Sequence, residues 1–468
     1  MKRVIPDPQV PPHQFVTRAR DLVAMLLCVL PPLFLSNRLP TFHTLADNKW
    51  LVVIFLSACE ISLIAMAWAM NSRVRSGTAS PLRALLLVGI AAFAALHLLS
   101  AVLSREPGFS VRAAIPALSL IALGGALIWA SPSPRAIRRF AVLTVATGAL
   151  IGVCALVQQA GFDPLAAWVR YREAGRYRTG AFVTLGNPEY LGGYLAPLAV
   201  AAVGLAVAST RWPARLAALA AAALTAAPAL LTGTRGSFLA LAAGVLVLAI
   251  GAFGISPRLS RGVRLGGLAI GCAFIVVLLA ALCSSPRTSG VGLLGARLRD
   301  LANPHAESIR DRIVFNMVGL EMIAGRPIAG VGPGMFGVEF YRAFLDLERR
   351  DTNGALAAFA RDLNGGVAEH AHNDWLEFWA ETGTLGFAAW LWILAVWLTA
   401  VGRALVRSSE PPGERLVILA LASAVVALLV NALFNFPLHE PVRATLFWLA
   451  LAWSASLAFG SESRRTTN

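Results

Sequence analysis

The chain has 468 residues, 57% of them hydrophobic and only 14% charged, with a formal net charge of +15. Soluble proteins run at roughly 45–50% apolar and 25% charged, so a string of water-soluble domains is excluded and a lipid-embedded chain is expected. Nucleic acid is then not the expected partner of the positive charge, which has to be read against a membrane and its lipids.

A bilayer-crossing helix needs about 20 mainly apolar residues. In chain order, twelve segments qualify: 21–36, 50–70, 84–103, 113–130, 140–160, 190–209, 216–232, 237–255, 266–283, 385–402, 416–433 and 442–460. The first follows Arg18 and Arg20, with no small-residue cleavage site behind it, and is expected to be a retained anchor. The expected fold class is an all-α integral membrane protein with about twelve transmembrane helices and one long helical outer segment. The organisation follows: helices 1–9 over 1–283, an outer loop domain over 284–384, and helices 10–12 over 385–468. The five cysteines (Cys28, Cys59, Cys154, Cys272 and Cys283) lie in apolar runs without a CxxC pair and read as small core residues.

Arginine and lysine in the short alternate connections set the orientation. One side carries Lys2, Arg3, Arg18 and Arg20, then 73–83, 135–139, 211–215, 258–264, 403–415 and finally Arg464 and Arg465. Long segments cross regardless of charge, which discounts the ten arginines of 284–384. Both termini are expected in the cytoplasm and the long segment outside. Apart from the first two outer loops and Arg443, the outer basic residues fall in 170–178, at Arg235 and in the long segment. All but Lys2 and Lys49 of the 40 basic residues are arginines, whose planar fork suits phosphate. An anionic ligand at the outer membrane-water boundary is the expected reason for charge that works against insertion.

Four segments carry the chemistry. The stretch VRYREAGRYRTGAFVTLGNPEYLGGYL (169–195) interleaves Arg170, Arg172, Arg176 and Arg178 with aromatic and small residues before re-entering the membrane. It fits an interfacial anchor or a cavity into which Arg178 points. The tight connection TGTRGS (232–237) leaves Arg235 near hydrocarbon depth, where a charge costs roughly 2.5–3.5 kcal/mol. Residues 308–325 space Ile309, Ile313, Val314, Met317, Leu320 and Ile323 as an amphipathic surface helix with Arg310 and Arg312 near its start. Gly332-x-Gly334-x-x-Gly337 follows no predicted strand and reads as a turn.

The fourth segment, EHAHNDWLEFWAETGTLGF (369–387), gathers His370, His372, Asn373, Asp374, Glu377 and Glu381 at a membrane entrance. As a strand it would put His370, His372 and Asp374 on one face, as a metal site needs. As a helix running into the tenth span it would line up His372, Leu376, Trp379 and Gly383 instead. A single imidazole working as base or proton shuttle needs no metal, and no cofactor is implied. Glu60 in mid-span, and His439 with Glu440 in the last outer loop, are weaker candidates for the same site.

Taken together these segments resemble the bacterial O-antigen ligase and O-antigen polymerase family, whose signature is a histidine followed by Asn, Ser or Gln and a spaced glycine pair. Here that is His372-Asn373 with Gly383-x-x-Gly386, supported by RTGAFVTLGNPEYLGGYL, TGTRGS and RDRIVFNMVGLEMIAGRPIAGVGPGMF. The resemblance covers about 170–390. It implies a GT-C-like membrane glycosyltransferase at the outer face of the inner membrane. Such an enzyme takes a glycan from undecaprenyl diphosphate without metal or nucleotide sugar. By motif position Arg178, Arg235 and Arg312, or Arg310 in place of Arg312, would hold the diphosphate, and His372 would orient or deprotonate the acceptor hydroxyl. His370 is a second histidine that competes for that role, and Asn373, Glu377 and Glu381 would support it. The implied acceptor is lipid A-core, or a second lipid-linked glycan, or a protein hydroxyl. A transporter is the alternative from another class.

Overall fold

A computed structural model describes residues 12–34, 47–70, 80–163, 181–255, 307–351, 354, 368–406 and 411–463. Among the described residues there are thirteen α-helices and no strand. The first eight are α1 (Pro12–Leu33), α2 (Asp47–Met70), α3 (Pro81–Leu103), α4 (Pro107–Ala130), α5 (Pro134–Gln159), α6 (Pro188–Ala208), α7 (Trp212–Leu231) and α8 (Arg235–Ile255). Then come α9 (Glu307–Gly325), α10 (Phe336–Arg350), α11 (Asp374–Val406), α12 (Pro412–Asn431) and α13 (Pro441–Ser463). Seven of them begin on a proline, whose missing N–H is one that no helix start can satisfy internally, so each start is sharp.

Ten helices are long and apolar enough to cross a membrane: α2 to α8 and α11 to α13. The chain is therefore a multi-pass membrane protein of the expected helical class. Of the expected first span, 21–36, residues 21–33 fall on α1, which keeps Arg18, Arg20 and Asp21 in its first half and is not among those ten. The expected ninth span, 266–283, lies outside the described residues.

The helices sort by burial. The apolar stretch of α13 is wholly buried and 89% of that in α6 is, against 22% in α7, so α6 and α13 are central and α7 leaves most of its side chains to lipid. α6 packs on α7, α8 and α12, while α13 packs on α4, α11 and α12. Hydroxyls inside the spans bond back to their own helix, as Thr144 Oγ1 to the Phe140 carbonyl (2.8 Å) and Ser454 Oγ to the Ala450 carbonyl (2.8 Å), which satisfies them without water.

Charge inside the bundle is paired locally. Glu60 of α2 meets Arg20 of α1 at 3.5 Å, so its partner is a neighbouring helix and not one of the arginines expected around the site. Lys49, fully buried, donates to the Pro31 carbonyl (2.9 Å) and the Pro32 carbonyl (3.3 Å) at the end of α1. Thr184 Oγ1 adds a 2.6 Å bond to the Pro32 carbonyl, so the last carbonyls of that helix are covered.

The described part of the long segment 284–384 has a small apolar core of its own. Val314, Val318 and Met322 of α9 pack with Phe336, Phe340 and Phe344 of α10. The glycine-rich run between them is a turn, with Gly330, Gly332 and Gly334 all at positive φ. It docks on α11: the Val331 N–H donates to the Ala380 carbonyl and the Gly332 N–H to the Glu381 carbonyl, both at 2.9 Å.

α11 begins at Asp374, eleven residues before the apolar run of the tenth span, and breaks at Gly383 (φ 68°). It does not extend back to His372, which corrects the helical alignment of His372 with Leu376 and Trp379. The reason is local. Asn373 caps the helix, its Oδ1 accepting from the Leu376 N–H at 3.3 Å, and His372 before it is left-handed (φ 52°).

Candidate active site

The turn 368–373 places two histidines on different partners. His372 lies against Phe315 of α9 (ring centroids 6.1 Å, 27°) and the edge of Phe436 (4.9 Å, 85°). Its Nδ1 is buried with no hydrogen-bond partner. Burial holds its pKa below the ordinary 6.5, with nearby Glu189 opposing the shift and Arg312 adding to it. A neutral imidazole near neutral pH is what a proton acceptor requires.

Beside it, Arg312 of α9 and Glu189 in the first turn of α6 form an ion pair, Nη2 to Oε1 at 2.7 Å. With its amide turned to donate, Asn435 lies 2.8 Å from the same Glu189 oxygen and 2.9 Å from the Phe434 carbonyl. Asn187 caps α6 by accepting from the Glu189 N–H at 2.8 Å, which fixes the turn that carries the carboxylate. α9, the start of α6 and the loop before α13 thus meet around His372.

His370 belongs to a second, deeper cluster. Its Nδ1 lies 2.7 Å from Glu377 Oε1, and Glu377 Oε2 accepts from the Ala371 N–H at 2.8 Å. His439 is the centre of that cluster: Nδ1 is 2.5 Å from Asp374 Oδ1, and Nε2 is 3.7 Å from Glu377 and 3.6 Å from Glu381. Burial alone would lower the pKa of His439, but Glu377 and Asp374 carry it well above 6.5, which favours a charged ring among the three carboxyl groups. One possible ligand atom from each of His370, Glu377 and His439 lies within 4.8 Å of the other two, a grouping that would suit a metal ion. That grouping differs from the one expected on a strand, since His372 and Asp374 are not in it. The 2.7 Å contact of His370 with Glu377 is a hydrogen-bond distance.

Of the expected site residues, the structure brings His372 and Arg312 together and sets His370, Glu377 and Glu381 beneath them. Asn373 acts as helix cap. Arg235 opens α8, where a Cβ on the following Gly236 would meet the Asn435 amide at 2.5 Å, so that turn borders the Asn435–Glu189 contact. Arg178 and the side chain of Arg310 lie outside the described residues.

Sequence reasoning passed over Glu189, Asn435 and Arg443. Arg443 is fully buried, its Nε 3.1 Å from Glu440 Oε2 and its guanidinium 4.5 Å above the Tyr190 ring. The signals were there: a glutamate directly after a helix-starting proline, and the crowded NFPLHEPVR of the last loop.

The chain is thus a multi-pass helical membrane protein with an imidazole, an arginine and a buried carboxylate cluster gathered at one end of its bundle. Residues 220–391 match the family model described as O-antigen ligase. The matched stretch includes Arg235, Arg310, Arg312 and the whole 368–391 turn and helix start, while Glu189 and His439 lie outside it. A comparison with curated protein sequences returned no match.

Proposed function

We propose that the chain is a metal-independent, inverting glycosyltransferase of the O-antigen ligase type, moving a glycan from undecaprenyl diphosphate to lipid A-core at the periplasmic face of the inner membrane. The observation that carries this reading is the half-buried His372 ring, its Nδ1 without a hydrogen-bond partner, beside Arg312. In the reaction the acceptor hydroxyl gives its proton to His372 while its oxygen attacks the anomeric carbon from the face opposite the leaving group. The bond from that carbon to the diphosphate oxygen breaks, and the diphosphate leaves with the electron pair. Arg312, with Arg178, Arg235 or Arg310 alongside, stabilises the charge that develops there. Attack on the opposite face inverts the anomeric configuration.

Polymerisation of lipid-linked glycans and transfer to protein hydroxyls use the same groups and differ in the acceptor. Lipopolysaccharide from cells lacking the gene separates them on a gel. Loss of all glycan-bearing bands supports the ligase, a single capped repeat the polymerase, and an unchanged ladder neither. Complementation with His372→Ala or Arg312→Ala, expressed at wild-type level, should fail. A chelator should leave transfer by the purified protein unchanged, and a loss restored by zinc would place an ion at His370, Glu377 and His439. A carrier would bind its solute near the membrane midplane, whereas His372, Arg312 and Glu189 cluster where α6 begins and where the turn before α11 ends.

A further inference from the structure

Glu189 has no place in the transfer chemistry above, yet it occupies the guanidinium that the diphosphate needs. Its Oε1 accepts from Arg312 Nη2 at 2.7 Å and from the Asn435 amide at 2.8 Å. Two donors from two different segments therefore converge on one carboxylate oxygen. Asn435 is 1% exposed, so its amide has few alternative partners. The Arg312–Glu189 pair is different: the two side chains are 20% and 22% exposed. An ion pair so placed is weak and is readily exchanged for another anion.

A phosphate is the better partner for Arg312, because it accepts both arms of the fork at once. The carboxylate is not stranded when the arginine turns away. It sits in the first turn of α6, where the unpaired N–H groups favour negative charge.

We propose that Glu189 is a placeholder for the donor's diphosphate, holding Arg312 and Asn435 in position until the diphosphate displaces it and leaves its carboxylate free beside His372. This rests on reading His372 and Arg312 as the transfer site. Before the donor arrives, the opposite charges of Glu189 and Arg312 offset one another at the imidazole. Once the diphosphate takes up Arg312, that offset is gone, and Glu189 together with the remaining negative charge of the donor favours a proton on the ring. Donor binding thereby prepares the base, and Glu189 is a positioning residue acting through Arg312.

The test uses the full-length protein reconstituted with a polyprenyl-diphosphate-linked glycan, comparing Glu189→Gln, Glu189→Asp and Arg312→Ala. Glu189→Gln should lower the donor KM about two- to fivefold, the worth of one partly exposed ion pair, while kcat falls. Glu189→Asp should restore the wild-type KM, and Arg312→Ala should raise it. Should Glu189→Gln turn over too slowly for KM, inorganic pyrophosphate serves as probe. It should raise the melting temperature of that variant at lower concentration than for wild type. A donor KM or pyrophosphate response equal to or weaker than wild type in Glu189→Gln overturns the placeholder. Normal transfer by Arg312→Ala and His372→Ala would instead overturn the assignment of the site itself.

Discussion

Asp374 and His439 meet at 2.5 Å, Oδ1 to Nδ1, tying the first residue of α11 to the loop that leads into α13. The second oxygen of Asp374 accepts from the Leu438 N–H at 2.7 Å, so one carboxylate holds both the ring and the backbone of that loop. Asp374 N–H in turn reaches the Ala432 carbonyl at 2.8 Å. The turn bearing His370 and His372 is thus anchored by an ion pair whose carboxylate is buried.

Removing one partner of a buried pair strands the other, at a cost of about 3–5 kcal/mol. Asp374→Ala is therefore expected to unfold well below the wild type in detergent, with loss of monodisperse protein on size exclusion. His439→Leu alone leaves three carboxylates without their cation and should be comparably unstable. Combined with Asp374→Ala it should cost less than the two losses added together. Strict additivity in that double-mutant cycle would show that the contact contributes nothing.

The same ring makes a pH prediction. Asp374, Glu377 and Glu381 of α11 face His439, with His370 from the turn and His97 of α3 also acting in the cluster. Its folded pKa lies well above 6.5, so the folded state binds the extra proton more tightly than the unfolded chain. That stabilisation is complete below the unfolded value and is lost as pH rises through the folded one. The melting temperature should consequently fall on the alkaline side, from above about pH 6.5. A His439→Gln variant should lose that slope; an identical slope in the variant would assign it to other groups.

His372 gives the opposite sign. Burial holds its pKa below 6.5, so the ring is neutral and able to accept a proton down to more acidic pH than a free histidine. For transfer, kcat/KM should stay flat through neutrality, with its acid limb centred below 6.5. His372→Ala should remove transfer by a factor of about 100 to 10,000, the usual worth of a positioned acid or base. An acid limb centred above 6.5 would contradict the half-buried, neutral ring.

Much of this was legible in the sequence, and what was not has a physical reason. Apolar runs about 20 residues long mark spans because lipid admits little else, and ten of the twelve expected spans fall on helices long and apolar enough to cross, α1 not being one of them and 266–283 lying outside the described residues. The amphipathic spacing of 308–325 found α9, and the motif order brought His372 and Arg312 into one site. The turn at His372 was read as helix because the apolar run behind it continues the same period. Only the capping by Asn373 ends the helix, and capping is a matter of one side chain's geometry. His439 was legible only as a weaker candidate for the site, and Glu189 not at all, for a different reason. Each is separated from its contact by 65 or more residues, as in Asp374–His439 and Arg312–Glu189, and no local pattern encodes such pairings.

Gly383 supplies the last prediction. The break in α11 at this residue lets the glycine-rich turn after α9 lie directly against the helix, with the Thr384 N–H donating to the Pro327 carbonyl at 2.8 Å. Gly383 and Gly330 face each other with φ of 68° and 75°. A Cβ on Gly383 would run into the Ile328 carbonyl and the Gly330 nitrogen, and one on Gly330 into the Glu381 carbonyl. Positive φ alone costs an alanine roughly 1–2 kcal/mol, and the backbone collision adds to it. Neither neighbour can move aside cheaply, because both are main-chain atoms already engaged in the contact. Gly383→Ala should therefore separate the α9–α10 unit from α11 while the rest of the bundle stays folded. Limited proteolysis around 326–335 should become faster in Gly383→Ala than in wild type, and transfer should drop because Arg312 is carried on α9. Gly402→Ala, on the same helix with open space around its Cβ, is the control and should change neither.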